Sequence, residues 1–126
     1  MSKTIVFLDA STVDYGDIDF SPIASLGSFI TYPITKPHET IPRSKDADII
    51  ITNKVVFYAS EIAQLQKCKL IAVAATGYNT IDIKAAKNKN IAVANVPGYS
   101  RDAVAELTMC FILALAHNLI KYNIAT

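Results

Sequence analysis

The sequence predicts an α/β fold, a doubly wound five-stranded parallel sheet followed by a long apolar helix, and three observations predict it. Short β-branched runs alternate with helical patterns along the 126 residues. The runs are almost continuously apolar, as strands of a parallel sheet covered on both faces are. Turn and cap residues (Gly, Pro, Asn, Ser) stand between the runs at the offsets that end one element and start the next.

The first strand is Lys3–Leu8, stopped by Asp9. Ser21–Gly27 reads as a short helix, with Ser21 as N-cap, Pro22 at the first helical position and Gly27 just past the end. Ser28–Tyr32 is the second strand. Pro33, Pro37 and Pro42 follow, so this stretch holds only a short or broken helix. Asp48–Thr52 is a third strand, nearly all apolar and therefore central. Ser60 is placed to cap a helix through Lys67, with Ile62, Leu65 and Gln66 at helical spacing. Lys69–Ala74 is the fourth strand and Thr80–Lys87 the next helix. Asn90 stands where a left-handed C′ residue is expected. Ile91–Asn95 is the fifth strand. Pro97-Gly98 turns the chain, and Ser100 or Asp102 caps a final helix reaching about Tyr122. Right-handed crossovers leave the flavodoxin-like order 2-1-3-4-5. In such sheets ligands sit outside the carboxyl ends of the strands, which directs attention to Asp9–Ser11, Thr52–Val55, Ala75–Asn79 and Asn95–Tyr99.

Composition narrows the function classes. Apolar residues make up 52% and charged residues 18%, the balance of a globular chain. The formal charge is +1 with no basic block, which gives no sign of nucleic acid or an anionic membrane surface as partner. Lys3 is followed by only a short apolar run before Asp9, so no signal peptide is read. The apolar stretch Ala103–Ala116 is interrupted by Glu106 and Thr108 and is shorter than a membrane span; it reads as a buried helix. Cys68 and Cys110 each stand alone among apolar neighbours, which favours two buried reduced thiols and a cytoplasmic location over a disulfide.

The most informative segment for chemistry is Ala75-Thr76-Gly77-Tyr78-Asn79-Thr80-Ile81-Asp82, directly after the fourth strand. Successive backbone N–H groups at a strand end, unobstructed at a glycine, make a small anion-binding concavity. The alternative is that Gly77 permits a tight turn into the next helix. Asn53-Lys54 ends the third strand on the same sheet edge, where Lys54 is either a positive charge for an anionic ligand or a solvated surface lysine. Asp9 is either a catalytic acid or a turn-forming strand-end residue. His38 and His117 have no carboxylate partner nearby in sequence and read as structural; His117 complements a helix C-terminus. The glycines at 16, 27, 77 and 98 form no G-x-G-x-x-G, and no Walker loop is present. The last helix carries Val104, Leu107, Phe111 and Leu115 on one face and Met109, Cys110, Ile112 and Leu113 on the others. A helix apolar all round is buried all round, so another domain or subunit is expected to cover it.

The run KLIAVAATGYNTIDIKAAKNKNIAVANVPGYSRDAVAELTMCFILALA, from Lys69 to Ala116, resembles the end of the substrate domain of the D-isomer-specific 2-hydroxyacid dehydrogenases. ATGYNTID, the NVPGYS turn, the AVAELT helix start and NKV at Asn53–Val55 are most similar to the glycerate dehydrogenase (hydroxypyruvate reductase) branch. Asn90 departs from the glycine usual before the fifth strand. The resemblance implies a split substrate domain, here residues 1–100, and an inserted Rossmann domain that binds NAD or NADP, with residues 101–126 as the interdomain helix leading to it. It implies that the amides of Thr76 and Gly77 hold a substrate carboxylate and that Asn53 and Lys54 line the same pocket. It places Thr76, Val104 and Thr108 toward the nicotinamide, although a hydroxyl bonded back to the helix carbonyl explains Thr108 equally. The family's Gly-rich loop, ribose-binding acidic residue and catalytic Arg, Glu and His have no counterparts in these 126 residues, so no catalytic residue is assigned and the chain alone is expected to be inactive. The expected partners are a small 2-oxo or 2-hydroxy acid and a second copy, as a homodimer or by self-association through the 101–122 helix. A non-catalytic module binding a carboxylate or a protein is the rival reading. A receiver-like signalling domain shares the fold but lacks the acidic cluster beside Asp9.

Overall fold

The computed structural model describes residues 2–125. Five parallel strands form one sheet: β1 (Lys3–Phe7), β2 (Gly27–Thr31), β3 (Ile49–Thr52), β4 (Leu70–Val73) and β5 (Ala92–Ala94), in the order β2-β1-β3-β4-β5. This is the order expected from right-handed crossovers. Register runs Val6 opposite Ile30 on one side and Ile50 on the other, Ile50 opposite Ile71, and Ile71 opposite Val93. All five carboxyl ends therefore share one edge.

The helices are short except one: α1 (Ser21–Ala24), α2 (Thr40–Ser44), α3 (Ala59–Gln64), α4 (Ile83–Asn88), α5 (Arg101–Ala116) and α6 (Leu119–Ala125). One sheet face is closed by the α2–α4 layer. Val6, Leu8, Ile50, Ile71 and Val73 pack there against Phe57, Ile62, Leu65, Ala86 and Ile91. Each such fully buried aliphatic side chain contributes roughly 1.5–3 kcal/mol relative to exposure. Lys89 Nζ ties two of these helices, donating to the carbonyls of Ala63 and Leu65 at 2.7 and 2.8 Å.

The opposite face is covered only at its β1–β2 side. Phe20, just before α1, meets Phe7 edge-on at 5.9 Å and Phe29 at 5.7 Å. Across β3 and β4 the side chains alternate half-buried and buried, and Ala92 and Ala94 of β5 are exposed. The expectation of a sheet covered on both faces is corrected here: α5, which follows β5, leaves the sheet instead of folding over it. No residue of α5 is buried within the chain, and Leu107, Phe111 and Leu115 are 54, 60 and 75% exposed. None of the described helices is long and apolar enough to cross a membrane.

Several boundaries move for local reasons. Gly27 does not end a helix but opens β2, where it pairs with Lys3 and a Cβ would clash with the Lys3 carbonyl oxygen. The first residue of α1 is Ser21 and its N-cap is Phe20. α3 starts at Ala59 and ends at Gln64, not Lys67; Glu61 accepts the Tyr58 N–H at 3.0 Å and the Ser60 hydroxyl at 2.9 Å. α4 starts at Ile83, after Asp82 caps it by accepting the Ala85 N–H at 2.9 Å. Asn90 adopts φ 57°, the left-handed C′ geometry expected of it. The final helix is not continuous to Tyr122: it breaks at His117–Asn118, where Asn118 turns left-handed at φ 50°. Ser100 sits at its N-cap without a side-chain bond. Both cysteines are free, but only Cys68 is buried; Cys110 is exposed, against expectation. Burial pushes the Cys68 thiol up to about 11, so it stays protonated and inert at neutral pH.

Candidate functional site

The loops at the carboxyl edge are organised by one buried acid. Asp9 is 2% exposed and lies immediately beyond β1, between the ends of β2 and β3 in the sheet order. Its Oδ1 accepts the Asn53 N–H at 2.9 Å, and its Oδ2 accepts the N–H groups of Lys54 at 2.6 Å and Val55 at 3.2 Å. The Thr52 hydroxyl donates to the same oxygen at 3.3 Å and accepts from Val55 N–H at 3.1 Å. The carboxylate thus replaces the hydrogen bonds that the chain loses as β3 ends, and it bends Asn53–Val55 back over the sheet edge. A buried carboxylate is tolerated where it is fully hydrogen-bonded in this way. Asp9 is structural, and its partners were not legible from the residues adjacent to it.

The predicted site residues divide accordingly. Asn53 is buried, and its side-chain amide donates to the Thr12 hydroxyl at 3.0 Å and reaches the Thr12 carbonyl at 3.4 Å. The Thr12 hydroxyl in turn donates to the Asp9 carbonyl at 2.7 Å. Asn53 therefore spends its donor inside the protein. Lys54 is exposed, and among the described residues its ammonium forms no ion pair or hydrogen bond. It borders a depression of about 680 Å³ whose wall also includes Phe7, Thr12, Ile51, Asn53, Ala75, Val96 and Tyr99. This depression runs from the open sheet face to the carboxyl edge. On its other side Lys54 borders a smaller hollow of about 290 Å³ with Thr35, Thr40, Tyr58 and Glu61.

After β4 the chain leaves regular structure at Ala74–Tyr78. Among the described residues the N–H groups of Thr76 and Gly77 donate to no acceptor. Gly77 is not left-handed, since the positive-φ glycines are Gly16 and Gly98. A Cβ built on Gly77 would meet only Asn79 Oδ1, at 3.8 Å. Neither backbone conformation nor packing within the chain requires glycine there, unlike Gly27 and Gly98. The Thr76 carbonyl accepts the Asn95 side-chain amide at 2.7 Å, and the Ala75 carbonyl accepts the Val96 N–H at 3.0 Å, so the ends of β4 and β5 are tied together.

Val104 and Thr108 lie one turn apart on α5, both exposed, and neither takes part in the hydrogen bonds of Asp9. The Thr108 hydroxyl donates to the Val104 carbonyl at 2.7 Å, the back-bonded arrangement that competed with a ligand role. His38 and His117 lie on an exposed 3-10 turn and at the C-cap of α5, outside the cleft. No cluster of metal-ligating side chains occurs among the described residues. A shallow groove of about 570 Å³ along the free edge of β5, at Tyr78, Ile83, Lys87 and Val93, contains none of the predicted site residues.

A five-stranded parallel sheet with free N–H donors and a lysine at its carboxyl edge places this chain among the open α/β domains. The chain belongs to a specific family of that class: the model of the D-isomer specific 2-hydroxyacid dehydrogenase catalytic domain matches residues 15–125. It is 34% identical over 122 residues to the hydroxypyruvate reductase of Blautia hydrogenotrophica, covering 94% of this chain and 38% of that protein. It is 35% identical to the glycerate dehydrogenase of Methylorubrum extorquens, covering 97% and 38%. Among solved structures, the NAD+-bound 3-phosphoglycerate dehydrogenase of Entamoeba histolytica superposes with a TM-score of 0.74 at 28% identity, over 90% of this chain and 39% of that one. The chain thus spans less than two-fifths of the length of these relatives.

The Asp9 network yields a test. Asp9→Asn replaces one acceptor oxygen by an NH2 that faces backbone N–H donors, and is expected to cost about 2–3 kcal/mol. Urea denaturation measures the loss, and amide spectra should show shifts concentrated at Asn53–Val55. Stability within about 0.5 kcal/mol of the parent would contradict the assigned role.

Proposed function

We propose that this chain is the substrate-binding part of an NAD(P)-dependent oxidoreductase that interconverts small D-2-hydroxyacids and 2-oxoacids of the glyoxylate and hydroxypyruvate type. The observation that carries the reading is the pair of unpartnered amides at Thr76 and Gly77, beside a glycine that the fold itself does not need. Backbone N–H groups free of side-chain obstruction accept a carboxylate, each charge-assisted bond contributing ~1.5–3 kcal/mol. Lys54, unpaired and on the neighbouring strand end, attracts and orients the same anion. Asn53 acts through Thr12 and the loop it holds. Residues 1–100 supply the carboxylate site, and residues 101–126 lead toward the cofactor side.

The bound dihydronicotinamide would supply the hydride to the carbonyl carbon. Toward it this chain offers the exposed Val104 and Thr108, with Thr76 at the strand edge. The Thr108 hydroxyl, already donating to Val104, keeps lone pairs that can accept from a carboxamide N–H. The chain contains no G-x-G-x-x-G to cradle a pyrophosphate, so its share of cofactor binding is a wall beside the nicotinamide. Its own residues bind and orient; the proton is moved by groups outside this site.

Two outcomes follow. Gly77→Ala should leave stability unchanged or raise it by about 0.5 kcal/mol, because the residue's conformation suits alanine, while the added methyl obstructs the amides and weakens oxalate binding by calorimetry about tenfold. Loss of stability with unchanged oxalate affinity would return Gly77 to a turn-forming role. The second concerns α5 and α6, whose exposed large apolar side chains include Leu107, Phe111, Leu115, Ile120 and Tyr122. Such a surface drives association, so sedimentation at roughly micromolar to millimolar concentration should reveal dimers or larger species. A clean monomer would count against this interface.

A further inference from the structure

We propose that Asn95 is a positioning residue of the carboxylate site: its side-chain amide holds the Thr76–Gly77 peptide so that the Gly77 N–H is turned into the cleft between β3 and β4. The inference rests on the carboxylate-binding reading above and adds the group that aims its donor. Asn95 stands just beyond β5, and its Nδ2 donates to the Thr76 carbonyl at 2.7 Å. A peptide unit is planar and trans, and none of the described bonds is cis, so the Thr76 C=O and the Gly77 N–H point in opposite directions. β4 lies between β3 and β5. A carbonyl drawn toward the end of β5 therefore directs the following N–H toward the end of β3, where Lys54 stands.

Few other groups fix this peptide. Thr76 and Gly77 belong to no helix or strand, and Gly77 has the widest backbone freedom of any residue. Immediately upstream, the Ala75 carbonyl is held by the Val96 N–H at 3.0 Å, so two successive carbonyls of the loop are tied to consecutive residues after β5. Asparagine suits this position because its amide donates, whereas an ionised aspartate offers acceptors only and would push the carbonyl away. A donor held in place before the ligand arrives needs no reorganisation on binding, which makes its alignment matter for affinity.

The test uses the 15N-labelled 126-residue chain with oxalate as the probe. In the parent chain oxalate is expected to move the Gly77 amide resonance. In Asn95→Ala the free-state Gly77 resonance should shift, the spectrum of β1–β3 should stay in place, and the oxalate dissociation constant should rise on the order of tenfold. A parent chain whose Gly77 amide ignores oxalate removes the carboxylate reading and this inference with it. A parent response at Gly77 together with undiminished affinity in Asn95→Ala overturns the role of Asn95 alone. Should the alanine variant not fold, Asn95→Ser, whose shorter side chain stops short of the Thr76 carbonyl, is read by the same outcomes.

Discussion

The carboxyl edge of this sheet depends on the buried carboxylate of Asp9. In a parallel sheet every strand end leaves backbone donors unpaired, and a loop that must curve over the edge needs an acceptor to curve around. Asp9 supplies it from the neighbouring strand, accepting from Asn53, Lys54 and Val55. The result is a loop whose backbone donors point inward and whose one charged side chain, Lys54, points out. Lys54 is placed by the backbone beneath it, because its own side chain has no partner among the described residues.

A second device operates one strand further on. There the loop after β4 is anchored by its carbonyls, to Asn95 and Val96, while the N–H groups of Thr76 and Gly77 have no acceptor among the described residues. The two loops are opposite in polarity. Donors are consumed after β3, acceptors are consumed after β4, and a positive ammonium and free amides remain along one stretch of edge. That complement suits a small anion such as a carboxylate. Close sheet neighbours in a parallel register, Ile50 beside Ile71 and Thr52 beside Val73, bring the two loops together.

Much of this was legible in the sequence, and the residues show why the rest was not. Strand order followed from apolar runs and crossover handedness, and Asn90 announced its left-handed turn because asparagine tolerates that conformation. Gly27 misled because its role comes from the Lys3 carbonyl, which lies more than twenty residues earlier in the chain and meets it only after β1 and β2 pair. The break at Asn118 carries the same asparagine signal as Asn90, but the apolar pattern continuing through Leu119 and Ile120 read as one uninterrupted helix. The α3 start was misplaced because Ser60 is a good cap by type, yet its hydroxyl bonds to Glu61. Asp9 was recognisable as a strand-end acid, but its partners lie on another strand. Gly77 was found by its setting; its non-positive φ and open surroundings were not legible in the sequence. The apolar character of α5 was plain; its departure from the sheet, which leaves Ala92 and Ala94 uncovered, was not.

The central claim is that the edge between β3 and β4 receives a carboxylate. A crystal structure of the chain grown with oxalate tests it most directly. The account predicts a carboxylate accepting from the N–H groups of Thr76 and Gly77 with the Lys54 ammonium facing it. Oxalate bound instead along the β5 groove at Tyr78 and Lys87, with the Gly77 amide turned away from the cleft, would contradict it.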